Sequence, residues 1–447
     1  MSNLSRSNDP GSRSTDTANK STFLTSLGII HFGWILGIGL ALILTFTVAL
    51  IYRANIHANI ANVLNFAVDS QPESVAAADN NAIVHMHGQN FIPIGLYDVP
   101  TSAFQEVKDR GFNTVHLYHD TQTLAEAEDY LQKASDVGLR VLQNMPSAFI
   151  SAGDDFWIQW VSELSKYDAL LWWYLPEEPT LNGISHADME RLYNIVRQYD
   201  PQHRPVATYY GIFGPLDAWC DATDIIYVGC YPEYSNEPRA CMKAYIDEAR
   251  RSCPNKSFVG VPAFFNSADF GVSAGYPSPQ EARFDAYTAL IDGTYGLNWF
   301  SYQAGVGLPD LYQGITQIAG ELNQLKPVLT SPYADQTIGV RITSGPLKSP
   351  VTQSGDVYDS IQILQKQSSN TTYLFASNMA TDTVTARFTS LPWNVTYVEV
   401  IFENRTIPVK YGVFHDSFDA YGVHIYRLLT EASAYPPPCP TQEKSYP

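Results

Sequence analysis

The chain has 447 residues, 45% of them hydrophobic and 16% charged, which excludes a disordered polymer and leaves room for two folded domains. The net charge of -18 lies beyond the N-terminal tail: residues 1–53 hold four basic and two acidic side chains, leaving 23 basic against 43 acidic after them. Such a surface repels nucleic acid and anionic headgroups and favours a neutral or cationic partner.

From the N-terminus, a tail (1–22) carrying Arg6, Arg13 and Lys20 precedes an apolar run (23–52) free of Asp, Glu, Lys and Arg. At about 1.5 Å per residue this run crosses a bilayer as a helix. Arg53 alone follows closely, so the positive-inside bias predicts a cytoplasmic N-terminus and an extracytoplasmic body. The alternative is a cleaved signal peptide with Ala76-Ala77-Ala78 near the cut, but the apolar run exceeds an ordinary signal core. Residues 53–81 are small and polar without a strong period, and read as a stalk.

A hairpin over 82–91 then leads into a regular alternation. Runs rich in β-branched and aromatic residues at 91–97, 114–118, 140–144, 170–175, 205–210, 224–231, 258–265 and 297–302 predict strands. Helical patterns at 102–110, 123–137, 154–166, 185–198, 240–251, 278–291 and 309–325 lie between and after them, with Ser185 as an N-cap and Pro279 in a first turn. The fifth connection, 215–222, is short for a helix. Eight strand–helix units predict an α/β fold of the (β/α)8 TIM-barrel type over 82–332. An open doubly wound sheet would carry a glycine-rich turn after its first strand, and here that strand runs into Tyr97-Asp98-Val99-Pro100. Short strands without helices then predict a small all-β sandwich over 333–430, followed by a proline-rich tail (431–447).

Cys220, Cys230, Cys241 and Cys253 cluster in one stretch, while Cys439 stands apart. No pair has C-x-x-C spacing, which argues against zinc; one or two disulfides among the four are expected outside the cytoplasm. Asn255, Asn370, Asn394 and Asn404 head sequons that accept N-glycans in a eukaryotic host.

In a barrel of this kind the chemistry sits at the C-terminal ends of the strands. Those ends supply Tyr97 and Asp98, then Tyr118, His119 and Asp120, then Gln143 and Asn144. Pro176-Glu177-Glu178-Pro179 follows the fourth strand, Tyr209 and Tyr210 the fifth, and Tyr231-Pro232-Glu233-Tyr234 the sixth. Phe264-Phe265-Asn266 ends the seventh, and Trp299, Tyr302 and Gln303 lie at the eighth. The mouth is acidic and aromatic, without a basic phosphate clamp. Sugar rings stack on aromatic faces, and glycosidic cleavage needs two carboxyl groups in different environments. A catalytic zinc would need three ligands and His119 is the lone strand-end histidine; no metal or cofactor is expected.

The segment Leu171-Trp172-Trp173-Tyr174-Leu175-Pro176-Glu177-Glu178-Pro179 resembles the fourth-strand motif of clan A glycoside hydrolases, in which an Asn-Glu-Pro or Asp-Glu-Pro triplet carries the acid/base. The hairpin and first strand Gly88–Tyr97, Trp299 on strand eight, and the run Phe418–Tyr426 are similar to the corresponding parts of such enzymes. The resemblance implies a glycoside hydrolase cutting O-glycosidic bonds, with Glu178 as acid/base and Glu177 at the substrate; the apolar run over 23–52 makes the expected enzyme a membrane-anchored one. The strand ends offer Tyr97, Tyr118, His119, Asp120, Tyr210, Tyr231, Trp299 and Gln303 as the substrate-binding set, Trp299 standing where such enzymes often have an active-site Trp. The departure is at strand seven, where clan A has its nucleophilic Glu and this chain has Phe264-Phe265-Asn266. Glu233 is the leading replacement; Asp120 or Asp98 as base to a water, or a barrel that binds glycans without cutting them, are the alternatives.

Overall fold

The computed structural model describes residues 76–78, 84–86, 89–211, 216–334 and 337–430. The expected cytoplasmic tail, membrane helix, most of the stalk and the proline-rich tail with Cys439 lie outside these residues. No described helix is long and apolar enough to cross a membrane. Ala76–Ala78, expected in the stalk, instead pairs antiparallel with Val84–Met86, which pairs in turn with Gln89–Phe91.

Eight parallel strands close into a barrel: β1 (Ile94–Tyr97), β2 (Thr114–His116), β3 (Arg140–Asn144), β4 (Leu170–Tyr174), β5 (Val206–Tyr209), β6 (Ile225–Val228), β7 (Ser257–Gly260) and β8 (Leu297–Trp299). Each corresponds to one of the runs expected from sequence; β3 matches its run, β7 begins one residue earlier and ends five earlier, and the others are shorter than expected. Closure is made where β8 pairs with β1, Asn298 opposite Gly95. A Cβ at residue 95 would run into the Asn298 side chain, so glycine is what lets the two strands approach here.

The helices are α1 (Phe104–Asp109), α2 (Leu124–Val137), α3 (Asp154–Leu164), α4 (His186–Tyr199), α5 (Cys241–Ser252), α6 (Pro279–Ile291) and α7 (Pro309–Leu329). The fifth connection is a 3-10 helix, Leu216–Ala222. Thr123 caps α2 and Ser278 caps α6, each in a reciprocal box with the Glu three residues on; Ser185 caps α4.

Strand alternation divides the core in two. Ile94, Leu96, Val115, Trp173, Val206, Ile226 and Trp299 pack outward among the helices. Tyr97, Leu142, Trp172, Tyr174, Ala207, Ile225, Tyr227 and Val259 fill the barrel interior. Trp172 and Trp173 are both core, on opposite faces of one strand.

Beyond Pro332, β9 (Gly339–Ser344), β10 (Ile361–Ser368), β11 (Thr371–Asn378), β12 (Val384–Thr389), β13 (Val395–Val400), β14 (Arg405–Pro408), β15 (Phe414–Phe418) and β16 (Val423–Thr430) form two antiparallel sheets, β9-β12-β15 and β10-β11-β16-β13-β14. Their inner faces share one core, in which Phe388 of β12 stacks on Phe414 of β15 at 4.5 Å and meets Tyr426 of β16 at 5.6 Å. A further hairpin, Lys348–Pro350 with Val357–Asp359, was not evident in the sequence.

Two disulfides, Cys220–Cys253 and Cys230–Cys241, use all four clustered cysteines. The second brackets the segment that follows β6.

One buried knot ties β4 to its neighbours. Asp200, at the end of α4, accepts from Trp173 Nε1 at 2.9 Å and pairs with Arg204 Nη1 at 3.0 Å, both charged side chains being wholly buried. Arg204 Nη2 also donates to the carbonyls of Ser165 (3.1 Å) and Tyr167 (3.2 Å) after α3. Removing one partner strands a buried charge, which costs about 3–5 kcal/mol. Asp200→Ala is therefore expected to lower unfolding stability by about that amount in urea titrations, with part restored in the Asp200→Ala/Arg204→Ala double variant. A single-variant loss below about 1 kcal/mol would contradict this role.

Candidate active site

The C-terminal ends of the strands surround a cavity of about 610 Å3. Tyr97 of β1 and Tyr118 after β2 form one side, with Glu177, Glu178 and Leu181 after β4 beside them. Tyr209 and Gly211 come from β5, Gly229, Cys230, Tyr231, Tyr234 and Ser235 from β6 and its loop, Val261, Phe265 and Phe270 from β7 and its loop, and Phe300 from β8. Tyr245 of α5 completes the lining. Every strand end except that of β3 contributes.

The two carboxyl groups come from one turn. Thr208 Oγ1 donates to the carbonyl of Pro176 at 3.0 Å, and the Glu178 amide donates to the Tyr209 carbonyl at 2.9 Å, fastening the turn to β5. Glu178 has a left-handed backbone, with φ at 45°, an uncommon conformation for a residue with a side chain. The alternation of the strand ends there, and both consecutive carboxyls border one cavity.

Glu177 is the better held of the two. The hydroxyl of Tyr174 donates to it at 2.6 Å and in turn accepts a short hydrogen bond from Tyr97, while Tyr118 lies beside it in the cavity lining. Burial lifts the Glu177 carboxyl to a pKa of about 7, with the neighbouring Glu178 charge adding to the rise and the three tyrosines opposing it. Burial also raises Glu178. Beneath them, burial drives the imidazole of His116 down to about 3; its ring lies 4.6 Å from Tyr174 and 4.8 Å from Tyr97, and neither ring nitrogen has a hydrogen-bond partner. His116 is thus a neutral floor residue.

Aromatic rings make the walls. Phe300 lies 5.5 Å from Tyr118, 5.6 Å from Tyr97 and 6.3 Å from Tyr231, and Phe265 packs edge-on to Tyr231 at 5.2 Å. Gly229 leaves room for the Tyr231 hydroxyl, which a Cβ there would meet at 2.9 Å.

Of the residues expected from sequence, the structure brings Tyr97, Tyr118, Glu177, Glu178 and Tyr231 to the cavity. It does not bring Glu233. That side chain turns behind the wall into a buried ion pair with Arg239, which also binds Asp285 at 2.8 Å. Trp299 is fully buried on the helix side against Phe112, because residues 297 and 299 share the outward parity of β8; Phe300 takes the wall position. Tyr210 likewise faces outward onto Trp219, while Tyr209 faces the cavity. His119 and Asp120 are exposed outside the lining, and the cap of α2 is Thr123, not Asp120. Gln303 is exposed in a short helical turn beyond β8. Counting parity from β4 would have found Tyr209; Tyr245, Phe270 and Tyr234 come from helices and loops, where no period points inward.

No protein-family model matches the chain, and no curated protein matches it. Solved structures do. A glycoside hydrolase family 5 protein from Bacteroides vulgatus superposes with a TM-score of 0.54 at 10% identity, over 80% of this chain and 94% of that one. A catalytic mutant of a GH42 β-galactosidase from G. stearothermophilus gives 0.53 at 8% identity, over 80% and 99%. The α-amylase of Geobacillus thermoleovorans, complexed with acarbose, gives 0.50 at 10% identity, over 74% and 91%. At these identities the likeness is one of fold: an eight-stranded (β/α)8 barrel followed by an antiparallel β domain.

Proposed function

We propose that the chain is a glycoside hydrolase acting on O-glycosidic bonds through Glu177 and Glu178. The observation that carries this reading is the pair of carboxyls at the end of β4, one caged by tyrosines, both bordering an aromatic-walled cavity. Chemically, an acid poised near neutrality holds a proton for the leaving oxygen, and a second carboxylate stabilises the oxocarbenium-like transition state or activates water. Glu177 takes the first role on its environment, and Glu178 the second. This exchanges the roles that the sequence resemblance implies and replaces Glu233 with Glu177 as the second carboxyl. Aromatic faces around Phe300 and Tyr231 support stacking of sugar rings. The α-amylase neighbour was solved with acarbose, a sugar-like ligand.

A second reading is favoured by one observation: β7 leads into Phe264-Phe265-Asn266, and Phe265 fills the wall where clan A has its nucleophile. On that reading the barrel binds glycans without turnover. We also propose that residues 23–52 anchor the chain with the barrel outside the cytoplasm; the uncharged run and the two disulfides support it.

Glu177→Gln and Glu178→Gln are each expected to lower kcat on a responsive glycoside by roughly 10²–10⁴-fold while glycan binding persists. Glu233→Gln is expected to leave the chemical step within about tenfold, because its carboxyl serves Arg239 behind the wall. An unchanged rate in both cavity variants would sink the assignment, and binding without turnover on any glycoside in the wild type would establish the second reading.

The pH profile gives a separate check. Below about 7 Glu177 keeps its proton and can donate it; above that it is ionised, so kcat/KM is expected to fall as pH rises through about 7. Tyr118 stabilises the ionised form, so Tyr118→Phe is expected to move that limb to higher pH; a limb that moves lower would contradict the tyrosine cage.

A further inference from the structure

The cavity differs from the rest of the molecule in how its acids are treated. Elsewhere, buried carboxylates have cationic partners: Asp200 with Arg204, Glu233 and Asp285 with Arg239, Asp292 with Lys243, and Glu321 with Arg283. Glu177 and Glu178 have no ion-pair partner among the described residues, and no Lys, Arg or His lines the cavity there. Glu177 accepts from the Tyr174 hydroxyl at 2.6 Å, which Tyr97 backs in turn. Glu178 has no comparable cage, and a ligand that displaces water from it must supply the compensation itself. The walls are aromatic, with Tyr118 at 5.5 Å and Tyr231 at 6.3 Å from Phe300. Aromatic faces attract an organic cation within about 6 Å of the ring centroid and offer an anion nothing.

We propose that the sugar this cavity takes carries a protonated amine, seated against the Glu178 carboxylate and flanked by the rings of Phe300 and Tyr231. The inference rests on the reading of the cavity as a glycan site and adds the substrate class. A neutral sugar satisfies Glu178 only through a hydroxyl donor, whereas an ammonium adds charge attraction at a partly buried carboxylate. A uronic or other anionic sugar meets two carboxyls with no counter-charge.

The test is a ligand-observed NMR titration of the full-length chain in neutral detergent, at low salt and about pH 6. The probes are methyl 2-amino-2-deoxy glycosides of gluco, galacto and manno configuration, each against its 2-hydroxy and 2-acetamido counterparts. At least one amino sugar is expected to bind roughly tenfold tighter than both counterparts, with the preference shrinking as salt is added. In Glu178→Gln, checked for an unchanged melting temperature, that preference is expected to fall within about twofold. Equal or tighter binding of the neutral counterparts overturns the amine inference and leaves the glycan reading in place. A preference that survives in Glu178→Gln overturns the seat at Glu178. No binding by any probe overturns both.

Discussion

Closure of the barrel between β8 and β1 is the constraint on which the site depends. With Asn298 opposite Gly95, the last strand can pair with the first, and all eight C-terminal ends face one mouth. Without that pairing, Phe300 after β8 would not lie beside Tyr97 of β1, and the cavity would have no wall on that side. The outer layer reinforces it locally: the buried Asp200–Arg204 pair fixes Trp173, and with it the strand whose end carries both glutamates. The packing of the fold and the placement of the chemistry are therefore one problem.

The electrostatics of the mouth follow from burial against a limited set of compensating groups. Tyr174, backed by Tyr97 and with Tyr118 beside it, holds Glu177 in place without neutralising it, so desolvation prevails and the carboxyl keeps its proton to about pH 7. The same tyrosines are pushed well above their ordinary range by burial and by Glu177 itself, so they act as fixed donors. Arg239, in the segment after β6, is committed to Glu233 and Asp285 and to holding the segment that the Cys230–Cys241 disulfide brackets. The β domain adds to that segment: Gln353 Nε2 donates to the carbonyl of Asn236 at 2.6 Å and its amide donates to Glu237 at 2.7 Å.

Much of the fold was legible in the sequence, and for physical reasons. Buried parallel strands read as apolar β-branched runs, and capped helices between them have their own period; all eight strands were found this way. Strands β14 and β15 have a weak sequence signal because they are short and polar: Phe414 and Phe418 are the buried residues of β15, separated by His415-Asp416-Ser417. The site was half legible. Its acidic, aromatic character and the Glu177-Glu178 turn came from reading strand ends. Errors arose where one residue of parity decides the outcome: Trp299 against Phe300, and Tyr210 against Tyr209. Glu233 was misplaced for another reason, since nothing local reveals that Arg239, six residues on, captures it. The left-handed backbone at Glu178, which turns two consecutive acids to one cavity, has no sequence signal either.

Glu177 is a buried carboxyl, hydrogen-bonded to Tyr174, that retains its proton near neutrality. The direct measurement is a pH titration of that group, by carboxyl-labelled glutamate NMR or by difference infrared spectra of wild type against Glu177→Gln. The account predicts one carboxyl, absent in the variant, titrating with a midpoint of about 7. A midpoint near the ordinary value of 4.5 for that carboxyl would contradict it.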